Sequence, residues 1–325
     1  MLDKVKKNIF ILLLCSILFY IALTIYGNYK SVIQSFEDFN FFLLPILFAL
    51  SFLTFFTRFY KWNYYLHLLN IDICFRDSFI IFMSSLIMLA TPGALGELFK
   101  SYLVKRLTGE QISKTAPIVF SERITDLISV ILIALTGAII YNYGIFIMSL
   151  LIILFIALVL FISNKNVSIK FTTLLSRIKF LHKYLSKINI AYESFHVMLK
   201  GKSLFFMLLT SIASWSFECL SFYIILKTFG LSISVVWAGF VYAFGTIIGS
   251  LTMLPGGVGI TDGSFVFLIV QKGFSKDAAI ASTFIIRVVT LWFAVGVGAV
   301  FIFFYRNWFS NLYADYNILS LDNDE

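Results

Sequence analysis

Long apolar stretches, separated by short polar ones, occupy nearly the whole of this chain. Stretches of about twenty apolar residues, enough to cross a hydrocarbon core, lie near 9–27, 39–57, 116–140, 144–163, 203–227 and 278–304. Two further stretches, 78–91 and 235–253, run directly into glycine-rich turns. The turns read Thr91-Pro92-Gly93-Ala94-Leu95-Gly96-Glu97 and Leu254-Pro255-Gly256-Gly257-Val258-Gly259-Ile260-Thr261-Asp262, and each precedes a shorter helix, near 95–105 and 262–271. A proline–glycine break frees backbone amides and carbonyls that hydrocarbon cannot satisfy. Paired breaks at corresponding places in two halves point to a transporter-like binding site. The pattern predicts an all-α polytopic membrane protein of six to eight spans, with two Pro-Gly re-entrant hairpins in an inverted repeat.

Composition agrees. Hydrophobic residues make up 60% of the 325 positions and charged ones 13%, against about 45–50% and about 25% in soluble domains. The net charge of +8 sits mostly in short loops, a positive-inside pattern that sets orientation and excludes nucleic acid as a partner. Lys4, Lys6 and Lys7 precede the first stretch, which is longer than a signal-peptide core and lacks a small-x-small cleavage site, so it reads as a retained first span. Cys15, Cys74 and Cys219 are widely separated, and His67, His182 and His196 show no ligand spacing, so neither disulfides, metal nor another cofactor is expected.

Counting Lys and Arg orients the spans in the cell membrane. The N-terminus is cytoplasmic. The loop expected after the second span carries Arg58, Lys61 and Arg76, and the segment before 116–140 carries Lys100, Lys105, Arg106 and Lys114. Both read as cytoplasmic, which makes 78–105 a hairpin that enters and leaves on one face. The linker 164–202 has eight Lys/Arg against Glu193 alone. Phe171, Leu174, Leu175 and Ile178 recur there at helical spacing, as in an amphipathic helix on anionic headgroups; a solvated linker is the alternative. Arg306 returns the last span to the inside, so 235–271 becomes a hairpin entering from outside. The halves are then 28–140 and 203–306, with a short tail, 307–325. Full crossing by 78–91 and 235–253 would instead raise the span count to eight or more. Setting Pro92 against Pro255 brings Arg123 within one residue of Arg287. A small gap upstream also aligns Arg58 with Glu218, each twelve residues before the Asn70-Ile71 and Gly230-Leu231 turns.

Ionisable groups within spans are costly and are functional candidates. Glu122 and Asp126 share a helix face, Ser121, Thr125 and Ser129 adjoin them, and Arg123 lies at the edge of that arc. Ser282, Thr283, Arg287 and Thr290 form a similar arc on the last span, and two such wedges facing each other would make a charged cleft. Arg123 and Arg287, with the unpaired first amides of two intramembrane helix starts and the close approach allowed by Gly93, Gly96, Gly256, Gly257 and Gly259, describe an anion site suited to phosphate. Glu97, Glu122, Asp126, Glu218 and Asp262 are candidates for gating or proton and ion coupling, and Pro92 and Pro255 for hinges. Two plainer roles stand beside these. Arg123 could simply pair with Glu97, Glu122 or Asp126, and Arg287 with Glu218 or Asp262; Glu97 and Asp262 could be helix caps. No aspartyl-protease Gly-x-Gly-Asp step, membrane Ser/His dyad, zinc set or Walker loop is present. Glu122 and Asp126 lack a nucleophile to serve, so an enzyme is not expected.

The ordered motifs Pro92-Gly93-x-x-Gly96-Glu97, Ser121-Glu122-Arg123-x-x-Asp126 and Leu254-Pro255-Gly256-Gly257-x-Gly259 resemble the flippase-like transmembrane family. That family includes the membrane region of bacterial lysylphosphatidylglycerol synthases and stand-alone uncharacterised membrane proteins. This chain departs from it at Ala94, where the family often has Arg or Lys, and at Thr261-Asp262, where it often has Glu. The resemblance implies a lipid translocation module. With about twenty residues after the last span, no catalytic domain is expected. The implied partners are membrane lipids of anionic or polyprenyl-phosphate type. The alternative is a non-transporting anchor or partner subunit for a separate lipid- or glycan-modifying enzyme, docked on 164–202.

Overall fold

The computed structural model describes residues 18–23, 25, 29–91, 96–142, 144–163, 185–230 and 232–312, and every regular element among them is helical. After α1 (Tyr29–Glu37), a short 3₁₀ turn capped by the Asn40 side chain leads into α2 (Leu44–Leu68). Pro45 sits in its first turn, where a missing N–H costs nothing. α2 continues eleven residues past the expected end at 57. Arg58 and Lys61 are therefore not loop residues but lie inside the helix.

The first break is framed by α3 (Phe75–Ser85) with a 3₁₀ continuation, Leu86–Ala90, and by α4 (Phe99–Thr108). α5 (Ile112–Tyr141) and α6 (Ile145–Ser163) complete the first part, α5 ending on Asn142 in the left-handed conformation. α7 (Leu185–Met198) leads to α8 (Gly201–Thr228), and α9 (Val235–Leu251) follows, capped by the Ser234 hydroxyl. The second break then precedes α10 (Ile260–Gln271). α11 (Lys276–Arg287), a π segment (Val288–Trp292) and α12 (Phe293–Phe304) form one continuous rod. Among the described residues four helices are long and apolar enough to cross a membrane: Phe41–Leu68, Ile112–Tyr141, Gly201–Thr228 and Lys276–Phe304. Ile145–Ala157 and Val235–Leu251 are shorter apolar helices. Outward-facing Phe42, Phe146 and Phe304 are exposed, as a hydrocarbon solvent permits.

One succession of elements occurs twice: long helix, shorter helix, break, short helix, long helix. Its contacts are reciprocal. α2 packs on α8; α5 packs on α9 while α12 packs on α3; α5 touches α8 while the π segment touches α2. The turns after α2 and α8 are closed by register-equivalent left-handed residues, Asn70 (φ 53°) and Gly230 (φ 71°). The 86–90 segment, which leads into the first break, also touches the Pro255–Gly257 turn of the second.

Side chains fix these approaches. The Gly96 amide donates to the Thr91 hydroxyl at 2.9 Å, closing the first turn. A Cβ on Gly298 would lie 2.4 Å from the Ile87 amide nitrogen, so α12 reaches the 86–90 backbone only because position 298 is glycine. Phe222, Tyr242 and Phe265 stack at centroid distances of 5.1–5.7 Å and hold α8, α9 and α10 together. Phe59, Trp62 and Tyr65 fill the matching space beside α3 and α4.

Most of the first apolar stretch, and residues 164–184 with Phe171, Leu174, Leu175 and Ile178, lie outside the described residues, as do Pro92, Gly93 and 313–325. The described part of the basic linker, α7, packs against α5, with Ser194, Met198 and Leu199 buried.

Candidate functional site

α5 brings three ionisable groups into the protein interior, and each finds a different partner. Asp126 pairs with Lys61 from α2, Glu122 with Lys100 from α4, and Arg123 with Glu97 just before α4. Lys100 Nζ lies 2.6 Å from Glu122 Oε2 and 4.7 Å from the centroid of Trp62. A fourth pair joins the register-equivalent positions of α2 and α8: Arg58 Nη2 donates to Glu218 Oε1 at 3.2 Å. The Tyr242 hydroxyl donates to the other Glu218 oxygen at 2.6 Å, and the Arg58 guanidinium lies over the Trp215 ring at 4.7 Å. A lone charge at this depth costs several kcal/mol. Four cations matched to four acids, each pair spanning two elements, remove that cost and tie α2, α4, α5 and α8 to one another.

The four cations and three of their acids line a narrow cleft. Phe82, Leu86 and Leu89 line it together with Arg58, Lys61, Lys100, Arg123, Glu97, Glu122 and Asp126. Three of the cations are sealed, with side-chain exposures of 14%, 1% and 3% for Arg58, Lys61 and Lys100. Arg123 is 37% exposed and is held at one terminal nitrogen by Glu97.

The second break builds the counterpart of the Arg123–Glu97 pair. Arg287 Nε donates to Asp262 Oδ1 at 2.6 Å, and Arg287 Nη2 to the Gly256 carbonyl at 2.8 Å. Asp262 Oδ2 accepts from the Gly259 amide at 2.8 Å, so Asp262 is both helix cap and ion-pair partner. The Tyr20 hydroxyl donates to Asp262 Oδ1 at 3.1 Å. In both halves an acid at the start of the short helix pairs with an arginine farther along the chain, 26 residues on in the first half and 25 in the second. The halves differ in access: Arg287 is 12% exposed and Asp262 fully buried. At this helix start the anion is the protein's own carboxylate.

The structure thus gathers Glu97, Glu122, Arg123 and Asp126 in one cleft, with Glu218 behind Arg58. It places Arg287, Asp262, Gly256 and Gly259 in a separate cluster. Gly257 packs against the Thr261 hydroxyl, Gly96 against Thr91, and Pro255 opens the second turn. The two polar wedges do not face each other across one cleft. Its walls come from residues between Arg58 and Asp126 and not from 254–290. The Ser282 and Thr290 hydroxyls instead bond their own helix, at Ala279 and Ile286 carbonyls.

Sequence reasoning overlooked Lys61 and Lys100, which it counted as cytoplasmic loop charges, and the part played by Tyr20. Two signals pointed to them. Arg58 and Lys61 share a helix face in a run of aromatic residues through Tyr65, and Lys100 follows Glu97 by three. Among the described residues no group of three or more His, Cys, Asp or Glu is arranged to hold a metal ion.

Long apolar helices wrapped around internal ion pairs and a charged cleft define a polytopic α-helical membrane protein. The chain belongs to the lysylphosphatidylglycerol synthase TM region family, whose pattern matches residues 9–298. It is similar to a UPF0104 membrane protein of Methanocaldococcus jannaschii, 24% identical over 68% of this chain and 92% of the relative. A UPF0104 membrane protein of Pyrococcus horikoshii is 27% identical over 82% of this chain and 87% of its own.

Proposed function

We propose that this protein binds the phosphate-bearing headgroup of a membrane lipid in the cleft at Arg123 and moves it between leaflets while the tails stay in lipid. The observation that carries this reading is the state of Arg123. It is a guanidinium open to a cleft inside an apolar protein, with donors beyond the single bond to Glu97. A guanidinium fork matches phosphate oxygens, and Phe82, Leu86 and Leu89 line the same cleft. The lipids that fit are anionic or polyprenyl-phosphate types.

In this reading the breaks are tips of re-entrant hairpins in an inverted repeat, and they gate the path. Support comes from length: α4 has 10 residues and α10 has 12, roughly 15–18 Å of helix against a core of about 30 Å. The reciprocal packing of the halves and the contact of the 86–90 segment with the Pro255–Gly257 turn support it as well. Arg58, Lys61 and Lys100 are consumed by internal pairs and no longer bear on orientation. The eight Lys/Arg of 164–202 still do, and they set the N-terminus in the cytoplasm of a cell-membrane protein. The Arg287–Asp262 cluster is the closed counterpart of the open pair.

Purified protein in liposomes, loaded in turn with labelled phospholipids, a polyprenyl phosphate and a phosphate-free glycolipid, tests the reading. Faster exchange of phosphate-bearing lipids than in empty vesicles is expected. Equal rates in the two preparations for every lipid rule it out.

A further inference from the structure

Asp126 sits in a set of oxygens that resembles the coordination shell of a small cation. Lys61 Nζ is at its centre: it donates to Asp126 Oδ1, to Ser211 Oγ at 2.8 Å, to Thr125 Oγ1 at 3.3 Å and to the Glu122 carbonyl at 3.3 Å. Both hydroxyls turn their protons away from the ammonium. Ser211 donates to Asp126 Oδ1 at 2.9 Å, and Thr125 donates to the Ser121 and Glu122 carbonyls at 2.9 and 3.0 Å. The oxygens are thus held with lone pairs inward by bonds of their own. They come from two helices, α5 and α8, and the ammonium arrives from a third, α2.

The charge count of this shell selects the ion. Glu122 bonds Lys100 through Oε2 and meets Lys61 Nζ only through its backbone carbonyl, its buried Oε1 having no hydrogen-bond partner. One carboxylate remains, with two hydroxyls and one carbonyl, which neutralises one positive charge and not two. Oxygen-only shells of this kind suit hard cations, and carbonyl and hydroxyl oxygens can replace the hydration shell of a monovalent ion. The Lys61 side chain is 1% exposed, so no soluble ion shares the place with it.

We propose that these oxygens form a monovalent-cation site which Lys61 fills as a tethered counter-ion. Asp126, a sequence candidate for ion coupling, is then committed to a cation that cannot leave. The charge balance that fastens α2, α5 and α8 together is independent of sodium or potassium outside. Lipid movement through the neighbouring cleft would draw nothing from a sodium or potassium gradient at Asp126. This inference stands apart from what the cleft carries, because its test reads stability and not transport.

The test is Lys61→Ala, which removes the ammonium and leaves every oxygen in place. Thermal unfolding in detergent is followed in sodium or potassium chloride and in choline chloride at equal ionic strength, choline being too large for the shell. Wild-type protein is expected to unfold at the same temperature in all three. Lys61→Ala is expected to unfold earlier in choline and to recover several degrees, saturably, in sodium or potassium. Lys61→Ala/Asp126→Asn, with the carboxylate gone, and Lys61→Met, with the space filled, are expected to lose that response. No cation response in Lys61→Ala overturns the proposal, and so does failure to obtain the folded variant in any of these salts, since a shell with its oxygens intact should accept a bare ion.

Discussion

Lys100 and Glu122 are bonded to each other deep inside the protein, and removing either one strands the other. Lys100→Met or Glu122→Gln is expected to cost about 3–5 kcal/mol of stability, with much of that restored in the double variant. A double-mutant cycle on denaturation midpoints in detergent measures it. Arg123 is different. Its guanidinium is 37% exposed, so Arg123→Ala is expected to cost less stability than Lys100→Met, although it leaves Glu97 without its cation, while removing the charge that faces the cleft. The acids and arginine on α5 were legible in the sequence because an ionisable residue stands out inside an apolar span. Lys61 and Lys100 were not legible. A rule that counts positive charges scores a lysine buried against a carboxylate the same as one in a loop. For Lys61 the length of α2, which carries its helix to Leu68, separates the two. The sequence also linked Arg58 with Glu218 by register alone, and the structure turns that register into a direct bond across the interface of α2 and α8.

At the scale of elements, the breaks depend on close backbone approach. With 2.4 Å between a Cβ at position 298 and the Ile87 amide nitrogen, Gly298→Ala must push α12 away from the 86–90 segment. A loss of about 1–3 kcal/mol is expected from such overpacking, seen as a lower unfolding temperature. The second break is latched from outside its own half. Tyr20 donates to Asp262, and its ring meets Phe284 edge-on at 4.9 Å. Tyr20→Phe keeps the ring contact and loses the hydrogen bond, so a loss of about 1 kcal/mol is expected, checked by the same unfolding measurement. The helices flanking both breaks and the long spans were readable from Pro-Gly steps and apolar length, to within a few residues for 116–140, 144–163 and 203–227. The π segment after Arg287 was not. Val288–Trp292 is apolar and β-branched in part, and nothing in that composition distinguishes a widened turn from α-helix.

For the molecule as a whole, the proposed inversion places the turn after α2 and the turn after α8 on opposite faces of the membrane. Cys74 is exposed in the first, and Ser232 is exposed in the second. With the other cysteines replaced, an impermeant maleimide added to intact cells should label Ser232→Cys in a Cys74→Ser background and leave Cys74 itself unlabelled. Labelling of both from one face would exclude the inversion. The repeat was legible only as spacing, from proline to arginine and from Arg58 or Glu218 to the following turn. The form of the inequality between its halves was hidden, because it depends on Asp262 filling its own helix start while Glu97 and Arg123 stay at the mouth of a cleft. That inequality makes Arg123 the position where the reading stands or falls. Arg123→Ala and Arg123→Lys, each shown to be folded, should be compared with wild type in liposomes carrying a labelled phosphate-bearing lipid. The alanine variant should exchange lipid no faster than empty vesicles, and the lysine variant should retain a part of the wild-type rate. Wild-type exchange rates in a folded Arg123→Ala protein would contradict a phosphate-holding role for this cleft.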